Sequence, residues 1–297
     1  MSKNKKTLFY GAATALVTPF KDGKIDYNAL ENLIERQISL EIDALVICGT
    51  TGENATLSDE EHRAVLDFSL TKSAGRVPMI AGTGSNNTSH AIELSRYASS
   101  LGYDGILVVT PYYNKATDSG LVAHFEKIAD ASNVPLILYN VPSRTGCNIP
   151  ISVYHRLSKH ENIVAVKEAS GNVAAVARLI SECGNDLDVY SGDDALTLPI
   201  LSLGGAGVIS VASNLIPRQM SELCRNFFDK DILGARKLHQ SYLKLFDSMF
   251  CEVNPIPVKT ALSLMKLCSD ELRLPLYSMS ENNRAHLEKV LLEYALV

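Results

Sequence analysis

Short apolar runs recur along the chain at intervals of roughly 20–35 residues, with amphipathic stretches between them. The runs cover residues 11–17, 43–48, 78–81, 105–109, 135–139, 163–167, 187–190 and 207–211. Each is continuous rather than alternating apolar with polar, the pattern of parallel strands buried on both faces. The stretches between them carry helical periodicity. Asp26 can cap a helix running to Leu40, with Leu30, Leu33, Ile34 and Ile38 on one face. Ser58 and Glu61 form an S-x-x-E capping box ahead of a helix that reaches about Ser73. Gly102 and Gly184 suit positions just past helix ends.

Strands alternating with helices imply βαβ units, and right-handed crossovers wind such a sheet one way. Eight units point to an α/β protein built as a closed (β/α)8 TIM barrel rather than an open doubly wound sheet. After Asn214 no strand-like run remains. A barrel core over residues 1–214, with a short N-terminal arm, is therefore expected. Helices over 215–297, interrupted at Pro255, Pro257 and Pro275, would complete the barrel and extend it.

Composition narrows the partners. The net charge of −5 weighs against nucleic acid or an anionic membrane. Lys3, Lys5 and Lys6 precede an apolar run, but Tyr10, Gly11 and Thr14 interrupt it and no cleavage pattern follows. It reads as a buried first strand behind a basic arm. No apolar run reaches the ~18 residues of a membrane span, so nothing is expected to span a membrane, and the cysteines point to a cytoplasmic protein. Cys48, Cys147, Cys183, Cys224, Cys251 and Cys268 include no CxxC and read as reduced, packed thiols. The seven histidines form neither HxH nor HExxH, so no metal is expected. Gly82-Thr83-Gly84 and Gly204-Gly205-Ala206-Gly207 complete no nucleotide-binding fingerprint and read as turns.

Barrel active sites lie at the C-terminal ends of the strands. The polar residues directly after each run are therefore the candidates. They are Gly49-Thr50-Thr51-Gly52-Glu53, Thr110-Pro111-Tyr112-Tyr113-Asn114, Tyr139-Asn140-Val141-Pro142-Ser143-Arg144-Thr145-Gly146, Lys167-Glu168 and Ser191-Gly192-Asp193-Asp194. Lys167 ends an otherwise apolar strand and would point into the barrel mouth. Burial there disfavours the ammonium, and a free amine is what attack on a ketone requires. The plainer alternative pairs it with Glu168. Tyr139 could shuttle protons beside the amine or be a satisfied core tyrosine. Thr50 and Thr51 could cradle a carboxylate or simply turn the chain. Arg144 could bind a carboxylate in bidentate fashion or make a surface ion pair.

These five motifs, with Asn254-Pro255-Ile256-Pro257-Val258-Lys259, resemble the signature set of the dihydrodipicolinate synthase and N-acetylneuraminate lyase superfamily from about Gly11 to Lys259. The resemblance implies an imine between Lys167 and pyruvate, with no further cofactor. It implies a proton relay of Tyr139, Thr50 and Tyr113, the last reaching into a neighbouring subunit of a homotetramer. Thr50 and Thr51 would hold the pyruvate carboxylate and Arg144 that of an incoming aldehyde, while Gly192 and Ile209 line the site through their backbones. Arg144 favours condensation with L-aspartate 4-semialdehyde and cyclisation, on the way to lysine and diaminopimelate. A sugar-acid pyruvate lyase and a non-catalytic barrel scaffold are the alternatives.

Two departures from the family pattern stand out. Ala116 replaces a frequent proline, which would loosen the Tyr113 loop. Members inhibited by lysine bind it where this chain has Asn54, Ala55, Asp59, His62, Asn86, His90 and Tyr112. His90 stands in place of a usual glutamate, and Asp59 in place of a frequent histidine. Weak or absent lysine inhibition is expected.

Overall fold

In the computed structural model, which describes residues 5–297, eight parallel strands close on themselves. They are β1 Gly11–Ala15, β2 Ala44–Ile47, β3 Met79–Gly82, β4 Gly105–Val109, β5 Leu136–Asn140, β6 Ile163–Glu168, β7 Asp188–Ser191 and β8 Gly207–Ser210. The ring closes where Gly11 meets Gly207 and Thr14 meets Ser210. Each sequence run holds one strand, and the barrel expected from their number is present.

Helices α1 Tyr27–Ser39, α2 Asp59–Ser73, α3 Thr88–Leu101, α4 Asp118–Ala131, α5 Ile151–Leu157, α6 Val173–Cys183, α7 Thr197–Ser202 and α8 Pro217–Phe228 form the outer ring. Local chemistry starts them where the sequence predicts. The Asp26 carboxylate accepts from Ala29 N–H at the start of α1, and both halves of the Ser58/Glu61 capping box are made. Gly102 ends α3 in the left-handed region. Gly184 also follows its helix but keeps a right-handed conformation. Beyond the barrel lie α9 Ile232–Ser248, α10 Ile256–Leu264 and α11 Glu281–Glu293. Pro257 sits in the first turn of α10, where the missing N–H costs nothing, so it starts a helix rather than interrupting one.

Two apolar layers result. One lies between barrel and helices. The other fills the barrel interior with small and medium side chains, among them Ala13, Ala44, Val46, Ile80, Leu107, Ile137, Ala165 and Ile209. Phe9 stacks on Tyr190 at 4.3 Å between ring centroids, and the Tyr190 hydroxyl donates to Phe9 O at 2.7 Å. This plug closes the end opposite the C-terminal ends of the strands. On the same side, Lys5 Nζ donates to the carbonyls of Ser158, His160 and Ile163, each at 2.7 Å; Lys3 lies outside the described residues. All six cysteines are free thiols. Among the described residues no helix is long and apolar enough to cross a membrane.

Candidate active site

The register of β5 against β6 builds the centre of the site. Tyr139 is the direct neighbour of Lys167, and Asn140 of Glu168. Register partners on adjacent strands present their side chains to the same face, and successive residues alternate faces. Tyr139 and Lys167 therefore share the barrel interior, while Asn140 and Glu168 share the outer face. Lys167 Nζ lies 4.5 Å from the centroid of the Tyr139 ring. The Glu168 carboxylate accepts from Asn140 Nδ2 at 2.9 Å, from Tyr154 OH at 3.1 Å and from Ser170 N at 2.8 Å. Glu168 is thus committed outside the barrel, and the Lys167–Glu168 pair considered from sequence does not form. Lys167 is 5% exposed, with no ion pair among the described residues.

A cavity of about 230 Å³ opens over Lys167, walled by Thr51, Tyr139, Arg144, Gly192, Asp193 and Asn254 among others. Gly192 is required there. A Cβ at that position would stand 2.7 Å from Ala169 Cβ and 3.2 Å from Lys167 Cε, so a side chain would displace the amine. The Ile209 side chain belongs to the barrel interior, and Val211, two residues on, lines the cavity wall.

Asn254, which the sequence shows only as part of a motif, joins the two sides of the mouth. Its Nδ2 donates to Thr51 Oγ1 at 3.1 Å, and its backbone carbonyl accepts from Arg144 Nη2 at 3.0 Å. The hydroxyl and the guanidinium that face the cavity are held by one residue of the C-terminal segment. Asn254 Oδ1 is buried without a partner.

A second cavity of about 210 Å³ adjoins the first and shares Tyr139, Val141 and Arg144 with it. Thr50, Asn54, Ala55 and Tyr112 line it, so Thr50 and Thr51 face different compartments on either side of the tyrosine. The glycines of Gly82-Thr83-Gly84 serve close packing here. A Cβ on Gly82 would lie 2.2 Å from Cys48 O.

Tyr113 does not reach Lys167 within its own chain. It is 92% exposed and holds a left-handed backbone, φ 69°, a conformation uncommon for a non-glycine residue.

The residues considered for lysine binding fall into one region. Asn86 Nδ2 donates to Tyr112 O at 3.2 Å. His62 Nε2 lies 2.9 Å from Gly82 O, and burial lowers the His62 pKa to about 4. His90 Nε2 stands 3.7 Å from Asp59 Oδ1, so the two departures from the inhibited pattern face each other.

The chain is similar to known proteins over nearly its whole length. Residues 8–294 match the model of the dihydrodipicolinate synthetase family. A Geobacter sulfurreducens protein named 4-hydroxy-tetrahydrodipicolinate synthase is 51% identical over 98% of this chain and 100% of its own. Among solved structures, chloride-inhibited dihydrodipicolinate synthase of Acinetobacter baumannii complexed with pyruvate superposes with a TM-score of 0.95 at 43% identity, over 97% of this chain and 99% of that one. The Cyanidioschyzon merolae enzyme with lysine bound gives 0.95 at 41% identity, over 98% and 100%.

Proposed function

The chain belongs to the dihydrodipicolinate synthetase family, and from that premise we propose that it condenses pyruvate with L-aspartate 4-semialdehyde and closes the product to 4-hydroxy-tetrahydrodipicolinate. The observation that carries this reading is the buried Lys167 amine beside the Tyr139 ring, in a cavity that also holds Arg144 and Thr51. The name borne by the relative that is 51% identical over its whole length favours the synthase over a sugar-acid lyase.

The chemistry follows from the groups present. Lys167 Nζ adds to the pyruvate ketone and water leaves, giving an imine. The imine withdraws electrons, so a methyl proton departs and an enamine forms. The enamine carbon attacks the aldehyde of the second substrate, whose carboxylate Arg144 can grip with two parallel N–H donors. The substrate amine then displaces Lys167 and closes the ring. Tyr139 and Thr50, with Tyr113 from a second copy of the chain, carry protons through these steps. The exposure and left-handed backbone of Tyr113 support that role: a tyrosine held outward at a conformational cost suits a surface that another copy covers. The active form is then a cytoplasmic homotetramer of two tight dimers. Lysine inhibits it weakly or not at all, because His90 and Asp59 occupy the positions that depart from the inhibited pattern; inhibition at micromolar lysine would overturn this.

Borohydride reduction in the presence of pyruvate, followed by peptide mass analysis, tests the reading. A stable adduct on Lys167 is expected, together with turnover of aspartate semialdehyde in a coupled assay. Turnover of N-acetylneuraminate alone would reverse the choice of substrate, and no adduct with no turnover would leave only a scaffold.

A further inference from the structure

Asp193 is the single carboxylate among the described residues that wall the Lys167 cavity. It makes no ion pair among the described residues, although Lys167 and Arg144 line the same space. Its neighbour Asp194 has a different task. Asp194 is fully buried, and its Oδ2 accepts from Val211 N at 3.1 Å and Ala212 N at 2.9 Å, which fixes the turn after β8. Asp193 Oδ1 accepts from Ala195 N at 2.9 Å and caps the short turn Asp194–Leu196. That cap does not call for a charge, since asparagine or serine performs it as well. A half-buried carboxylate facing a substrate cavity therefore needs a further reason.

The second substrate supplies one. Aspartate semialdehyde carries a carboxylate and an ammonium on the same carbon. Recognition of both requires a cation and an anion in one cavity, and Arg144 and Asp193 are such a pair. The same ammonium must lose protons before its nitrogen can close the ring. We propose that Asp193 binds the α-ammonium of the second substrate and takes its first proton. This rests on the condensation proposed above.

In the closing step the substrate nitrogen bonds to the imine carbon and the bond from that carbon to Lys167 Nζ breaks. The imine is protonated after the enamine has attacked, so Nζ already carries one proton. Of the three ammonium protons, one passes to Asp193 and two join it on Nζ, which leaves as an ammonium while the ring closes as a neutral imine. Burial is the largest influence on the Asp193 carboxyl and pushes its pKa up; the Ala195 and Leu196 N–H groups and His239 oppose the rise and Asp247 adds to it. A carboxylate raised in this way is a better proton acceptor. The step needs no group beyond those already in the site.

Asp193→Asn removes the charge and keeps the cap. Its KM for aspartate semialdehyde is expected to rise roughly 10- to 100-fold, the range for losing a hydrogen bond to a charged group. Its pyruvate KM and its yield of reduced Lys167 adduct should match the parent enzyme. The decisive comparison uses 4-oxobutanoate, the analogue without the amine, as a competitive inhibitor. Its Ki should be unchanged by the substitution. A Ki that rises by the same factor as the KM would mean that Asp193 only shapes the cavity, and an unchanged KM would equally overturn the proposal. Asp193→Ser, a second neutral cap, serves if the asparagine variant is unstable. Parent enzyme that traps pyruvate but ignores aspartate semialdehyde would instead refute the proposed function.

Discussion

Lys259 Nζ lies 2.7 Å from Glu53 Oε1 with both side chains shut away from water. The lysine is on α10, and the glutamate follows the Thr50-Thr51 turn. Lys259 also donates to Thr18 O at 3.1 Å and stands 4.3 Å from the Phe20 ring centroid. The other carboxylate oxygen of Glu53 accepts from Arg273 N at 3.1 Å. Glu53 itself has a left-handed backbone, φ 53°, between the two short 3-10 turns Thr50–Gly52 and Asn54–Thr56. The C-terminal extension thereby holds the Thr50-Thr51 turn from behind.

Removing one member of a buried pair strands the other charge, at a cost of roughly 3–5 kcal/mol. Glu53→Gln should lower stability by about that amount in urea unfolding and raise the KM for pyruvate. Adding Lys259→Met should recover much of the stability but not the KM, because Arg273 N–H still lacks its carboxylate. A single variant as stable as the parent would show that the pair is not a strut.

Asn254→Ala should affect both substrates. Thr51 Oγ1 loses a donor and the segment that orients Arg144 loosens, so the KM for pyruvate and for the aldehyde should both rise. The stability loss should be about 1–2 kcal/mol, small because Asn254 Oδ1 is already unpartnered. Steady-state kinetics with each substrate varied in turn decide it; a change in one KM alone would contradict the bridging role.

Tyr113→Phe keeps the ring and removes the proton. Turnover should fall by roughly 10- to 100-fold or more, while pyruvate binding, read as yield of reduced adduct, stays close to that of the parent. Equal losses in both would assign Tyr113 to packing between chains.

Acid should destabilise the fold through two histidines. Burial holds His62 and His124 at pKa values of about 4, below the ordinary 6.5. Between these values the unfolded chain binds a proton at each site and the folded chain does not. Stability is therefore complete above pH 6.5 and declines as the pH falls towards 4, by on the order of 3 kcal/mol per histidine. Urea midpoints measured from pH 7.5 to 4 should fall through this window, and less steeply in His124→Gln. A flat profile would refute the assignment.

Much of the molecule is legible without coordinates because burial on both faces leaves a strong mark. Eight continuous apolar runs became eight strands, and the polar residues after them became the rim. Lys167 stood out as the one charge ending an apolar strand. Arg144 and Thr51 were found for a similar reason, since they follow strand ends directly. Asn254 and Asp193 were not assigned roles. Nothing local distinguishes an asparagine before a proline, or the first of two aspartates, until the fold sets one against Thr51 and opens a cavity over the other. Tyr113, which the family resemblance assigns to the active site of a neighbouring subunit, is exposed in its own chain.

The order of residues alone determined where the chain is strand, where it is helix and which side chains end each strand. It could not determine how the strands slide against one another. Between Leu136 and Ile137 the pairing of β5 with β6 shifts by one residue, so that Ile137 meets Ala165. Without that shift Tyr139 would face Val166, and Lys167 would point to the opposite side from the tyrosine. A strand buried on both faces has no alternation for a slip to violate, so its register is invisible in the hydrophobic pattern. Only the closed barrel, with every strand fixed by two neighbours, puts the amine beside the phenol.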